Sequence, residues 1–211
     1  MDSNYSSSED LKTIRKMMEE STRFLSLSGL SGIFAGIFAI AGAAIAWFLI
    51  LERGAVSFEK SLLFTEDAAL SSAGWLLIID AITILVAALI ISVWLSVRKA
   101  GSSGANIWAP VSKRLMINLL IPLATGGLLS IILLAKGFPG LLIPCLLIFY
   151  GLALVNAAKF TLNEVFYLGL AEIATGLVAA CFPGFWIFFW VTGFGLLHII
   201  YGVILFRKYE S

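Results

Sequence analysis

The sequence predicts an all-α fold: a polytopic membrane bundle of six transmembrane helices, arranged as three parallel-repeat helical hairpins. Composition is the first observation behind it. The 211 residues are 60% hydrophobic and 13% charged, too apolar for a domain whose surface must face water. The second is that the apolar residues fall into six runs, each close to the roughly 20 helical residues needed to cross about 30 Å of hydrocarbon. The third is the distribution of Lys and Arg, which gives the runs an orientation.

Residues 1–23 form an N-terminal segment that precedes the 24–206 transmembrane domain. The opening MDSNYSSSED is polar and Ser-rich and is expected to be disordered. Leu11, Ile14, Met17 and Met18 then recur at helical spacing, which predicts a short amphipathic helix on the membrane surface or a solvated extension of the first span. Mixed charge before a full-length apolar run is unlike a cleavable signal peptide, so the first helix is expected to stay as an anchor.

The spans are predicted at 24–51, 71–97, 114–136, 140–159, 162–182 and 185–206, with a tail at 207–211. The last three connections are short turns: Lys136-Gly137-Phe138-Pro139-Gly140, Lys159 to Thr161, and Phe182-Pro183-Gly184. They force antiparallel neighbours. Eleven Lys and Arg fall on one side, among them Arg98, Lys99, Lys113, Arg114, Lys159, Arg207 and Lys208; only Arg53, Lys60 and Lys136 fall on the other. That asymmetry places both termini in the cytoplasm. Trp47, Trp75, Trp186 and Trp190 then mark the outer boundary, and Trp94, Trp108, Tyr167 and Tyr209 the inner one.

A motif recurs in the last four helices. Phe138-Pro139-Gly140 is followed after ten residues by Gly151-Leu152, and Phe182-Pro183-Gly184 after ten residues by Gly195-Leu196, a shift of 44. Ala-Thr-Gly recurs at 124–126 and 174–176 with a shift of 50, so the third helix is the longer one. Both turns are expected on one face, as in parallel repeats and unlike inverted ones. Ser28, Gly32 and Gly36, beside Ala35, Ala39 and Ala43, form small-residue ladders on the first helix. Such ladders let backbones approach closely, within the chain or between copies of a homo-oligomer.

Three ionisable groups fall inside the spans: Asp80, Glu172 and His198. Each is expected to face the interior, pair or be neutral, because charge in hydrocarbon costs several kcal/mol. Glycine stands at i−3 and i+4 of two of them, Gly169 and Gly176 around Glu172, Gly195 and Gly202 around His198. The spacing predicts bare backbone where the two side chains meet across the fifth and sixth helices. That pair serves either as a proton or cation relay or as an interhelical hydrogen bond fixing register, with Asn118, Asn156 and Thr175 completing either version.

Counting removes most other chemistry. One histidine excludes bis-His haem, the histidine boxes of desaturases and His-rich metal sites. No lysine lies in mid-span for a retinal Schiff base, and no P-loop or Rossmann glycine pattern occurs. No metal and no cofactor is expected. A net charge of +1 argues against nucleic acid, which leaves the lipid bilayer as the expected partner. Ser31 in Gly29-Leu30-Ser31-Gly32 and His198 suggest a rhomboid-type dyad, but the serine is on helix one, Tyr201 replaces the glycine three residues after the histidine, and the oxyanion groups are missing. No enzyme is expected. Cys145 and Cys181 sit in apolar runs without redox or zinc spacing; inert packing fits them, and a disulfide between them stays open because both lie toward the outer side.

With its hairpins and the run Gly193-Phe194-Gly195-Leu196-Leu197-His198-Ile199-Ile200-Tyr201-Gly202, the chain resembles uncharacterised six-helix membrane proteins of bacteria, particularly Bacteroidota. More loosely it is similar to the HdeD-type acid-resistance proteins, also three Gly-rich hairpins with proline near the turns. The resemblance implies a non-enzymatic inner-membrane protein of envelope or acid stress. The competing expectation is a small-solute or ion transporter built on the Glu172/His198 pair.

Overall fold

The computed structural model describes residues 27–50, 63, 70–102 and 110–210. Six helices are long and apolar enough to cross a membrane, and no strand occurs among the described residues. The architecture is that of a multi-pass membrane protein. The predicted amphipathic helix in 1–23, most of the loop 52–70 and Trp108 lie outside the described residues.

The first span is α1 (Gly29–Ile45), continued by a π-helical turn (Ala46–Ile50). Next come α2 (Ser72–Ser102) and α3 (Pro110–Ala135). α4 (Leu142–Ala157) carries a 3-10 turn at each end, Pro139–Leu141 and Ala158–Phe160. α5 (Asn163–Cys181) follows, then α6 (Pro183–Tyr209). α6 is composite: a 3-10 turn, Pro183–Phe185, a short α-helical piece, Trp186–Trp190, a π segment, Val191–Leu197, and a second α-helical piece, His198–Tyr209. α2 runs five residues past the expected 97. α6 continues through Tyr209, into the expected tail, because its last turn is tied down on two sides. Lys208 pairs with Glu164 at the start of α5, while Glu210 accepts the backbone N–H of Gly29 at 2.7 Å and the Lys99 ammonium at 2.8 Å. A carboxylate at the amino end of a helix meets its exposed N–H groups and the positive end of its dipole, so Glu210 caps α1.

The helices follow one another around the bundle. α1 lies between α2 and α6, α4 lies between α3 and α5, and α5 joins α6; α2 and α3, though consecutive, scarcely touch. Glycine sets the close approaches. A Cβ on Gly151 of α4 would lie 2.6 Å from the Gly169 carbonyl of α5, and one on Gly202 of α6 would lie 2.6 Å from the Gly29 carbonyl of α1. Gly32 and Gly36 meet Gly202, Gly195 and Ile199. The small-residue face of α1 is therefore filled by α6 of the same chain, where only contact between backbones gives the van der Waals gain that lipid cannot supply.

The two Phe-Pro-Gly turns lie side by side at one end, opposite the end at which Gly29 and Glu210 meet. Phe138 and Phe182 hold similar backbone angles, φ −110°, ψ 56° and φ −132°, ψ 63°. The first turn alone has a Schellman ending: Gly137, at φ 76°, donates to Leu134 and Phe138 donates to Leu133. Tryptophan departs from the expected belt in two places. Trp75 and Trp94 are exposed, but Trp186 is buried among Ile143, Leu147 and Phe189, and Trp190 turns inward to donate to the Ala39 carbonyl at 3.1 Å. An indole N–H inside hydrocarbon needs an acceptor, and the neighbouring helix provides one.

Candidate functional site

α4, α5 and α6 each place one polar side chain at the same point inside the bundle. Glu172 of α5 is fully buried, and His198 of α6 and Tyr150 of α4 close around it. His198 Nδ1 lies 3.4 Å from Glu172 Oε1 and 3.2 Å from the Gly193 carbonyl. Its Nε2 lies 2.7 Å from the Tyr150 hydroxyl, and the two rings stack with centroids 5.4 Å apart. A carbonyl oxygen only accepts, so the Gly193 contact puts the ring proton on Nδ1 and leaves Nε2 to accept from Tyr150. The imidazole is then satisfied on both nitrogens.

The carboxyl is not. Both Glu172 oxygens are buried and neither has a hydrogen-bond partner; the 3.4 Å approach of Nδ1 is a close contact that does not meet hydrogen-bond geometry. A polar group so placed costs on the order of 1–3 kcal/mol, and more if charged. Its surroundings are tight. A Cβ on Gly193 would stand 2.8 Å from Glu172 Oε2, and Leu147 closes the same side. Gly193 belongs to the π segment that ends immediately before His198, so the extra residue in that turn delivers both the Gly193 carbonyl and the imidazole to the carboxyl.

The glycines flanking the pair act elsewhere than their spacing suggested. Gly169 and Gly176 of α5 receive Gly151, Ile148 and Leu147 of α4, and Gly195 and Gly202 of α6 receive α1. They close the α4–α5 and α1–α6 interfaces; Gly193 gives the α5–α6 contact its room. Asn118, Asn156 and Thr175 stay outside the cluster and bond the carbonyls of Arg114, Leu152 and Ala171 on their own helices. Asp80 stands apart on α2, half-buried beside Gly42 of α1. Ser28 faces Glu210 at 3.4 Å, and Ser31 bonds the Ser28 carbonyl, which ties that hydroxyl to its own turn. Cys145 is buried and Cys181 exposed, and both are free thiols.

No family model, curated protein or solved structure matches the chain. Among the described residues no group of three or more His, Cys, Asp or Glu could hold a metal ion. Tyr150 is the member that the ionisable residues did not disclose. It stands immediately before Gly151-Leu152 as Phe194 stands before Gly195-Leu196, and these two aromatics meet at 5.5 Å over the histidine. The aromatic position of the repeated motif was the signal.

Proposed function

We propose that this chain is a non-enzymatic multi-pass protein of a bacterial inner membrane, with both termini cytoplasmic, whose buried Glu172–His198–Tyr150 centre holds an exchangeable proton in envelope or acid stress. One observation carries the reading: a carboxyl with both oxygens buried and unbonded, beside an imidazole that does not need it. Register alone would be served at lower cost by an apolar side chain, and a group kept against stability points to use. Ionised, the carboxyl would be dry and unmatched; a bound proton removes the charge.

We propose an HdeD-type likeness as well, from the Gly-rich hairpins with proline near the turns, and it implies the same role. So does the arrangement of three hairpins about an axis along the membrane normal, which we propose from the 44-residue repeat. The competing reading is transport of a small solute or ion through the same centre. Against a solute stands the fit at Gly193, where one methyl group would already crowd the carboxyl.

Infrared difference spectra of the protein in lipid, recorded during titration, test the proposal. A protonated-carboxyl band that disappears at alkaline pH and is absent from Glu172→Leu is expected. A Glu172→Leu spectrum identical to that of the parent protein would remove the proton from the centre and the proposal with it.

A further inference from the structure

The ring proton of His198 has two acceptors close to it. Nδ1 lies 3.2 Å from the Gly193 carbonyl and 3.4 Å from Glu172 Oε1, nearly equidistant. Nε2 does not compete for that proton, because it already accepts from the Tyr150 hydroxyl at 2.7 Å and a second proton there would face the phenolic one. Which acceptor wins then depends on the charge of the carboxyl. A hydrogen bond to an ionised oxygen is roughly twice as strong as one to a neutral oxygen. With Glu172 protonated, the carbonyl is the better placed of the two, and that is the arrangement in the structure, with Gly193 bonded and both carboxyl oxygens without a partner. With Glu172 ionised, Oε1 draws the donor away.

The exchange matters because of where Gly193 lies. It belongs to the π segment Val191–Leu197, a joint between two pieces of α6 that are each fixed elsewhere. Before the joint, Trp190 donates to the Ala39 carbonyl of α1 at 3.1 Å; after it, Gly202 packs on Gly29, and Glu210 accepts the Gly29 N–H at 2.7 Å. The backbone N–H of His198 bonds the Gly195 carbonyl, so it is the ring N–H that reaches back five residues to Gly193. Single π turns of this kind are rare and recur at functional sites.

We infer that His198 is a switch between the two acceptors: its ring N–H holds the Gly193 carbonyl while Glu172 is protonated and passes to the carboxylate when the proton leaves, which frees the π segment at Gly193 and loosens the joint of α6. The inference rests on the proposed proton-holding role of Glu172. Only hydrogen bonds are exchanged. The proton lost belongs to the carboxyl, and the ring keeps its own on Nδ1 throughout. Among the described residues, the titratable groups that face the carboxyl are His198 from α6 and Tyr150 from α4. Cys145 of α4 turns to the Gly126 carbonyl of α3, Tyr201 of α6 packs on Leu154, Leu168 and Leu205, and α1 has no titratable residue between Gly29 and Ile50.

Nuclear magnetic resonance of the full chain in lipid tests the switch, with 13C at the Glu172 carboxyl and the Gly193 carbonyl and 15N in the single histidine. As pH rises, the Glu172 carboxyl carbon is expected to titrate. At the same midpoint the Nδ1 proton should move downfield, toward a charged acceptor, and the Gly193 carbon upfield, while Nδ1 stays protonated. Amide hydrogen exchange across 191–197 gives a second readout, comparing the parent with Glu172→Gln, which holds that position neutral, at matched pH so that intrinsic exchange cancels. Above the carboxyl midpoint the parent is expected to exchange roughly fivefold faster than the glutamine protein, the worth of one lost neutral hydrogen bond, and below it equally fast. A carboxyl carbon that titrates while the Nδ1 proton and the Gly193 carbon stay unchanged overturns the switch and leaves the proton-holding centre standing. Loss of the Nδ1 proton during the titration, or equal exchange of the two proteins above the midpoint, overturns the switch as well. A carboxyl carbon that titrates at no pH overturns the centre and the switch with it.

Discussion

α2 and α4 are both long apolar helices, α2 the more apolar of the two, yet α4 lies in the middle of the bundle and α2 at its edge. Hydropathy does not rank them because lipid is as apolar as a leucine side chain, so burying leucine against leucine gains little. Glycine does. α4 offers Gly151 to the Gly169 carbonyl, and its Ile148 and Leu147 to Gly176; α2 places Gly74 against the Leu63 backbone and otherwise presents Ile79, Ile82, Leu85, Leu89 and Ile90 outward. The polar residues follow suit. Glu172 is enclosed by the glycine-packed helices, whereas Asp80 sits half-buried on the edge.

The largest effect should come from filling the glycine contact that places α4 in the centre. Gly169→Val directs a branched side chain at the Gly151 carbonyl, 2.8 Å from its own Cβ, and is expected to lower stability by about 3 kcal/mol or to block assembly. Thermal unfolding in detergent measures it; a valine protein melting with the parent would show that the close approach is dispensable.

Glu172→Leu is next, and its sign is opposite. Sequence reasoning alone would have leucine strand His198, so that glutamine is the milder change. The structure reverses that order, since Gly193 and Tyr150 already satisfy the imidazole. Leucine should raise stability by about 2 kcal/mol, while glutamine, which keeps buried polar atoms, should not. A lower melting temperature for leucine than for glutamine would return Glu172 to a register-fixing role.

Tyr150→Phe removes the hydroxyl from His198 Nε2 and leaves a buried acceptor unmatched, which should cost about 1.5 kcal/mol. Chemical-shift changes confined to the His198 imidazole would confirm the contact. Glu210→Gln, at the partly buried clasp of α1, α2 and α6, should cost about 1 kcal/mol, less at high salt. The smallest effect belongs to Gly127→Ala on the open side of α3, where a new Cβ meets nothing within 4 Å. Gain of helix propensity predicts about 0.5–1 kcal/mol of added stability, and a loss in the same melting assay would reveal a neighbour on that face.

Much of this was legible in the residues. Six apolar runs marked six helices because the bilayer fixes their length, and the polar residues inside them pointed to Glu172 and His198. Helix ends were less legible: nothing local in Arg207-Lys208 says that α6 continues, because the reason lies in Glu164 and Gly29, far off in the chain. The flanking glycines were recognised as close-approach sites but assigned to the wrong interface, since a spacing gives a face and not the helix that fills it. Tyr150 carries no charge to betray it in an apolar run, and the π segment that aims His198 follows from packing around Gly193 and not from any periodicity.

The clasp between α1 and α6 also constrains how the protein is made. Gly29 and Gly202 are 173 residues apart (202 − 29), so at about 5–20 residues per second α1 waits roughly 9–35 s for its partner. Throughout that interval its bare glycine face is open to lipid and to every other helix being inserted nearby. The Glu210 contact to the Gly29 N–H and Lys99 forms only after α6 arrives, so its formation marks the moment when the early helices stop being available to the wrong neighbour.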